Sequence, residues 1–279
     1  MEERVHRLSA GELGRDLALR TSNVRSFKGS GTATLRRNKG VRMRIDESVA
    51  LVTGGSRGLG LAFAAELQAR GARKVYVGVR NPDAFDRPGI EAVKLDVTDA
   101  ESVAAAANSC DDVTLVVNNA GIGSLTDGVL DPTFADVCRT ILETNFFGMV
   151  NVSQAFAPVI EHNGGGAFVN VLSDATWFSV PALGAYSASK STAWSFTNAL
   201  RLELAERKVA VVAMHAGFID TDMASGIDAA KSDPRVVAGV TLDGVEQGLD
   251  EVLVDEQTRH VKRTLATDHA YYLNPAVAG

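Results

Sequence analysis

The chain has little of what marks a secreted, membrane-bound or metal-dependent protein. Its 279 residues contain two cysteines, Cys110 and Cys138, with no C-x-x-C pair and no histidine spacing that completes a metal site. Reduced thiols are therefore expected, and neither a disulfide framework nor a bound metal. No apolar run approaches the roughly 18–20 residues that cross a bilayer. The first stretch, MEERVHRLSAGELGRDLALR, lacks the apolar core of a secretory signal, so a cytoplasmic protein with no membrane partner is expected. Basic residues are scarce after the front of the chain. Residues 1–47 hold 11 of the 28 Lys and Arg but 6 of the 34 Asp and Glu, which leaves 17 basic against 28 acidic residues beyond them. An acidic body argues against a nucleic-acid surface.

The basic front segment is rich in Gly, Ser, Thr and Asn and shows no sustained apolar period. It reads as a disordered extension over 1–47. Met43 is an alternative start, because MRIDESVALVTGG reaches the first strand within a few residues. The remaining 48–279, in a chain 46% hydrophobic, is enough for one large core and one domain.

From Ser48 onward short β-branched runs alternate with longer Ala- and Leu-rich segments. Strands are expected at 49–54, 74–79, 91–97, 113–119, 166–173 and 209–216. Helices are expected near 59–70, 99–108, 132–161 and 186–207. Nearly continuous apolar strands imply burial on both faces, hence a parallel sheet with helices on either side. The expected fold is α/β, a doubly wound parallel sheet (Rossmann fold) in three layers, with ligands outside the carboxyl ends of the strands.

The first strand runs into Thr53-Gly54-Gly55-Ser56-Arg57-Gly58-Leu59-Gly60. Glycines at 54, 58 and 60 permit a tight turn and a close approach to a pyrophosphate at a helix N-terminus. The second strand ends in VGVRNPD, with Arg80 where an acidic residue would bind a ribose 2′-hydroxyl. Arg57 adds a second positive charge, and paired arginines suit a 2′-phosphate, so NADP(H) is favoured over NAD(H). The competing reading makes both of them solvated surface arginines.

Tyr186 and Lys190 stand four apart in AYSASK and share one helix face. An ammonium beside a phenol favours the phenolate and lowers a pKa that is ordinarily about 10. Ser173 closes the preceding strand on the edge where the cleft should open. By itself the Tyr–Lys spacing favours an ordinary polar helix start, since any helix can carry the two four apart; the glycine loop upstream turns the reading towards catalysis.

Together these stretches resemble the short, single-domain branch of the short-chain dehydrogenase/reductase family. The resemblance rests on TGGSRGLG at 53–60, LDVTD at 95–99, NNAG at 118–121, Asn145 in TNFFG, Ser173, and YSASK at 186–190, in the family's order, and covers roughly 46–223. It implies that Tyr186 is the general acid in reduction and the base in oxidation. Lys190 would lower its pKa and hold the nicotinamide ribose. Ser173 would polarise the substrate carbonyl, and Asn145 would kink its helix and carry a relaying water. The resemblance places Gly54, Ser56, Arg57, Gly58, Leu59, Gly60, Arg80, Asp96, Val97, Asn119, Ala120, Gly121, Ile219 and Thr221 around the cofactor. The loop HAGFIDTDM at 215–223 departs from the pattern, with Ala216 where proline is usual. His215 beside it reads as a satisfied strand-end histidine.

The substrate lid is expected over 224–240. Trp177, Phe178 and Leu183 are equally suited to wall a pocket or to fill core. In place of a final strand closing in Asp-Gly-Gly, residues 249–265 offer a strand and a charged helix. The expected activity is NADP(H)-dependent interconversion of a small-molecule carbonyl and its alcohol, in a homo-oligomer (dimer or tetramer). The alternatives are a 3-oxoacyl thioester (acyl-carrier-protein) reductase and a non-catalytic NADP-sensing binding protein.

Overall fold

The structure, a computed structural model, describes residues 43–275. The expected extension therefore lies outside the described residues up to position 42. Its last five residues do not: Met43 and Ile45 are buried in the main core beside Phe63 and Leu67, so the core includes residues ahead of Ser48. An apolar Met-x-Ile pair in a mostly polar segment was the available signal.

Seven parallel strands form one sheet in the order β3-β2-β1-β4-β5-β6-β7. They are β1 Val49–Thr53, β2 Lys74–Val79, β3 Glu91–Lys94, β4 Leu115–Asn118, β5 Gly166–Val171, β6 Val209–His215 and β7 Glu251–Leu253. The helices are α1 Gly58–Ala69, α2 Ala100–Ser109, α3 Phe134–Leu142, α4 Gly148–His162, α5 Gly184–Leu204, α6 Pro234–Glu246 and α7 Glu256–Thr264. Side chains alternate across each strand, so each face has its own core. Val52, Val77, Val117 and Val212 pack with Phe63 of α1 and Leu242 of α6 on one face. Leu51, Val116, Phe168 and Val211 meet Val103 of α2, Phe156 of α4 and Leu204 of α5 on the other. Strand order reverses between β1 and β4, and at such a switch point the loops part to leave a crevice.

Two helical expectations need correction. The helix expected over 132–161 is broken by a π-helical turn, Glu143–Phe147, in which Gly148 N donates to Glu143 O. The stretch expected as a substrate lid, 224–240, runs into α6. Asp233 accepts from Arg235 N at 2.8 Å and caps α6, and Val237 and Ala238 of that helix are buried in the core. The C-terminal reading of a strand and a charged helix matches β7 and α7. Among the described residues no helix is long and apolar enough to cross a membrane.

Candidate active site

The glycine loop is shaped by what surrounds it. Gly58 has φ +54°, a left-handed conformation that favours glycine, and opens α1. A Cβ at position 60 would lie 2.5 Å from Asn119 Nδ2 and closer still to Gly54 O, so α1 can approach β4 only with glycine there. Thr53 Oγ1 accepts from Asn119 N (3.0 Å) and Ala120 N (2.9 Å), while Asn119 Nδ2 donates to Thr53 O (2.9 Å). The loops after β1 and β4 are thereby tied into one floor. Gly121 lies against Asn145, and the Thr221 methyl covers Gly58. Ser56 and Arg57 are exposed on the rim; Leu59 is buried beneath it.

At the ends of β2 and β3, hydrogen bonds from Thr98 hold the Asp96 carboxyl below its usual range, and the exposed Arg80 guanidinium adds a smaller pull in the same direction. Val97 is buried, its carbonyl accepting from Asn151 at 3.0 Å. Arg57 bonds Asp222 at 2.9 Å, with both side chains more than 70% exposed. Such a pair is worth roughly 0–1 kcal/mol and exchanges readily for a better anion. Ile219 packs against the main core from the same loop. The cradle at Gly60 and the α1 N-terminus fit the pyrophosphate of a dinucleotide.

Ser173, Tyr186, Lys190 and Asn145 converge at the carboxyl ends of β4 and β5. Tyr186 lies in the first turn of α5. Its hydroxyl sits in a desolvated floor, and burial pushes it up to about 12, against the opposing pull of a hydrogen bond with Ser173. Lys190 is buried, its Nζ donating to Val171 O at 3.0 Å and lying 5.6 Å from the Tyr186 ring centre. Burial brings its ammonium down to about 8. Desolvation is the largest influence on both groups. Asn145, in the π turn, accepts from Ile122 N (2.8 Å) and donates to Ile122 O (2.9 Å) and Ser189 Oγ (3.1 Å). It clamps the loop after β4 to α5.

Beneath them runs a buried ladder. Asn118 Nδ2 donates to Asn170 Oδ1 (2.9 Å) and Ser153 Oγ (3.2 Å), and Asn170 Nδ2 donates to Thr197 Oγ1 (2.9 Å). It fixes β4 and β5 against α4 and α5. His215 is fully buried, bonded through Nδ1 to Ser173 O at 2.9 Å and stacked on Trp177 at 4.1 Å. Burial drives it down to about 3, so it stays neutral and holds the serine backbone. Trp177 is therefore packing. Phe178 meets Tyr271 edge-on at 4.9 Å. The sequence reading passed over Asp174, Met223 and the C-terminal Glu251, Asp255 and Lys262, whose burial or placement near the cleft depends on long-range packing.

A glycine cradle at the switch point of a parallel sheet, beside a half-buried tyrosine and a buried lysine and serine, defines an oxidoreductase of the nucleotide-binding α/β class. The chain belongs to the short-chain dehydrogenase/reductase family: residues 48–232 match short chain dehydrogenase. It is 30% identical to dehydrogenase/reductase SDR family member 7B of Bos taurus, over 78% of this chain and 68% of that one. It is 35% identical to galactitol 2-dehydrogenase (L-tagatose-forming) of Cereibacter sphaeroides, over 64% of this chain and 74% of that one. It spans 63% of the mouse member 7B. A short-chain dehydrogenase from Burkholderia cenocepacia, solved in complex with NADP, superposes with a TM-score of 0.78 at 38% identity, covering 84% of this chain and all of that one. The fold binds a nicotinamide cofactor.

Proposed function

We propose that the protein interconverts an apolar carbonyl compound and its alcohol with NADP(H), using Tyr186 as the proton donor in reduction. The observation that carries this reading is the meeting of Ser173, Tyr186 and Lys190 beside the glycine cradle. The bound nicotinamide supplies or accepts the hydride. Ser173 donates to the substrate oxygen and fixes its position, while Tyr186 delivers the proton to that oxygen as charge builds on it. A phenol held up at about 12 is protonated at neutral pH and ready to donate. Lys190, with its ammonium on the same face of α5, stabilises the phenolate left after transfer. Asn145 holds Ile122 and Ser189 in place on either side.

The preference for NADP(H) is supported by Arg57 and Arg80 on the rim and by the NADP complex of the Burkholderia protein. The apolar substrate is supported by the wall of the cleft. A Cβ at Gly123 would lie 3.5 Å from Met223 Sδ and 3.7 Å from the Tyr186 ring, which places Met223 beside the phenol. Ile122, Leu125 and Val129, on the loop after β4, remain exposed. Each methylene that this wall takes from water is worth about 0.8 kcal/mol, near fourfold in kcat/KM. Along a series of straight-chain ketones kcat/KM should climb by about that factor per methylene, and Met223→Ser should flatten the climb. A flat series in the wild type, or better turnover of polyhydroxylated ketones, contradicts the apolar assignment.

A further inference from the structure

Asp174 follows Ser173 directly and is buried, 7% exposed. Ser173 Oγ donates to Asp174 Oδ1 at 3.1 Å, and Ala175 N reaches both oxygens, at 3.1 Å and 2.8 Å. A hydroxyl has a single proton, and an ionised carboxylate is a stronger acceptor than a neutral carbonyl. While Asp174 is charged, that proton is committed to it and is not available to a substrate oxygen. We propose that Asp174 is a positioning residue that sets the direction of the Ser173 hydroxyl, turning it away from the substrate when ionised and releasing it when protonated. The inference rests on the reading of Ser173 as the group that bonds the substrate.

The surroundings make this an equilibrium within reach. Burial, then the charge of Asp255, raises the Asp174 carboxyl to about 6, against the Ser173 hydrogen bond. The two carboxylates flank Gly217: a Cβ there would lie 3.5 Å from Asp174 Oδ2 and 3.7 Å from Asp255 Oδ2. Asp255 is fixed, accepting from Gly217 N (2.8 Å) and from Thr258 N (2.7 Å) as the cap of α7. The other titratable groups around the segment are accounted for. Tyr186 and Lys190 face it from α5, and His215, held neutral, bonds the Ser173 carbonyl from the end of β6. Glu251 of β7 is paired with Lys262 of α7, whose ammonium lies over Trp177. The Asp174 charge also pushes the Tyr186 phenol up, making it a weaker acid, so both effects slow reduction when Asp174 is ionised.

The test is the pH profile of ketone reduction by NADPH in the wild type, Asp174→Asn and Asp255→Asn. In the wild type kcat rises about tenfold as pH falls through about 6, the worth of one hydrogen bond to a charged group, while KM moves little. Asp174→Asn loses the step and runs at neutral pH at the acid-limb rate. Asp255→Asn keeps the step and moves it to lower pH. A wild-type profile without the step overturns the proposal, as does an Asp174→Asn variant that keeps it or is slowed equally at every pH. Thermal unfolding supplies a readout free of turnover. The folded carboxyl binds its proton more tightly than the unfolded one, whose pKa is near 3.8, so stability falls as pH rises from there through about 6. Asp174→Asn therefore raises Tm at neutral pH, and the gain vanishes below about pH 4; no gain at neutral pH overturns the proposal. A wild type with that Tm difference intact but no turnover of any ketone removes the function beneath the proposal, whereas turnover without the step removes the proposal alone.

Discussion

Tyr186→Phe lowers kcat for ketone reduction by about 10³-fold, within the usual range for removing a general acid, and leaves NADPH affinity within about twofold. The asymmetry follows from where the atoms lie. Phenylalanine keeps the ring in the first turn of α5 and leaves the Lys190 bond to Val171 in place, so the floor of the cleft survives. What disappears is the oxygen that burial keeps protonated beside Ser173. No neighbour can replace it. Lys190 is bound to a backbone carbonyl, and His215 is buried behind the serine and points at its carbonyl, not its hydroxyl. Steady-state kinetics with a fluorescence titration of NADPH separate the two quantities. Turnover in the variant within tenfold of wild type would take Tyr186 out of the reaction.

Arg80→Asp shifts the ratio of kcat/KM for NADPH over NADH by about 10²-fold towards NADH. A hydrogen bond to a charged group contributes on the order of 1.5–3 kcal/mol, and each 1.4 kcal/mol is tenfold. The substitution removes the Arg80 guanidinium and puts a carboxylate beside Asp96 at the end of β2, where a ribose 2′-hydroxyl is the better partner. Arg57 limits the switch. Its exposed pair with Asp222 is cheap to break, so Arg57 can still meet a 2′-phosphate. Adding Arg57→Ala to Arg80→Asp widens the change. An unmoved ratio in the double variant would mean that neither arginine reads the phosphate.

Strands and site differed in how openly the sequence displayed them. A strand buried on both faces writes its position as an apolar run; all six expected strands exist, although the edge strand β3 is half exposed and shows a weaker pattern. Except at β2, their carboxyl ends fall short of expectation by one to three residues, most at β3 and β5. There the chain leaves hydrogen-bonded pairing to form the cleft, and residues such as Asn119 and Ser173 look like strand while serving the loop. The glycine loop was legible because Gly60 answers a contact with Gly54 and Asn119 that no other residue permits. The break at Asn145 was legible only through the family resemblance, since its 143–147 stretch carries no break in helical pattern and the turn is held by a loop 23 positions away. Burial of Asp174 was invisible for the same reason: it is enclosed by β6 and by the C-terminal α7 and its cap. Four residues apart placed Tyr186 and Lys190 on one face, but how strongly each is desolvated is set by the whole fold and was not legible from spacing.

The central claim is that this chain moves a hydride to a carbonyl carbon while Tyr186 protonates the oxygen. Single-turnover reduction of a straight-chain ketone with NADPH deuterated at the transferable nicotinamide position tests it most directly. The account predicts an alcohol carrying one deuterium on the former carbonyl carbon, and none formed by Tyr186→Phe on the same timescale. Tight NADPH binding with no labelled alcohol from any ketone would contradict it, and would make the protein a nucleotide-binding module that keeps the site without the reaction.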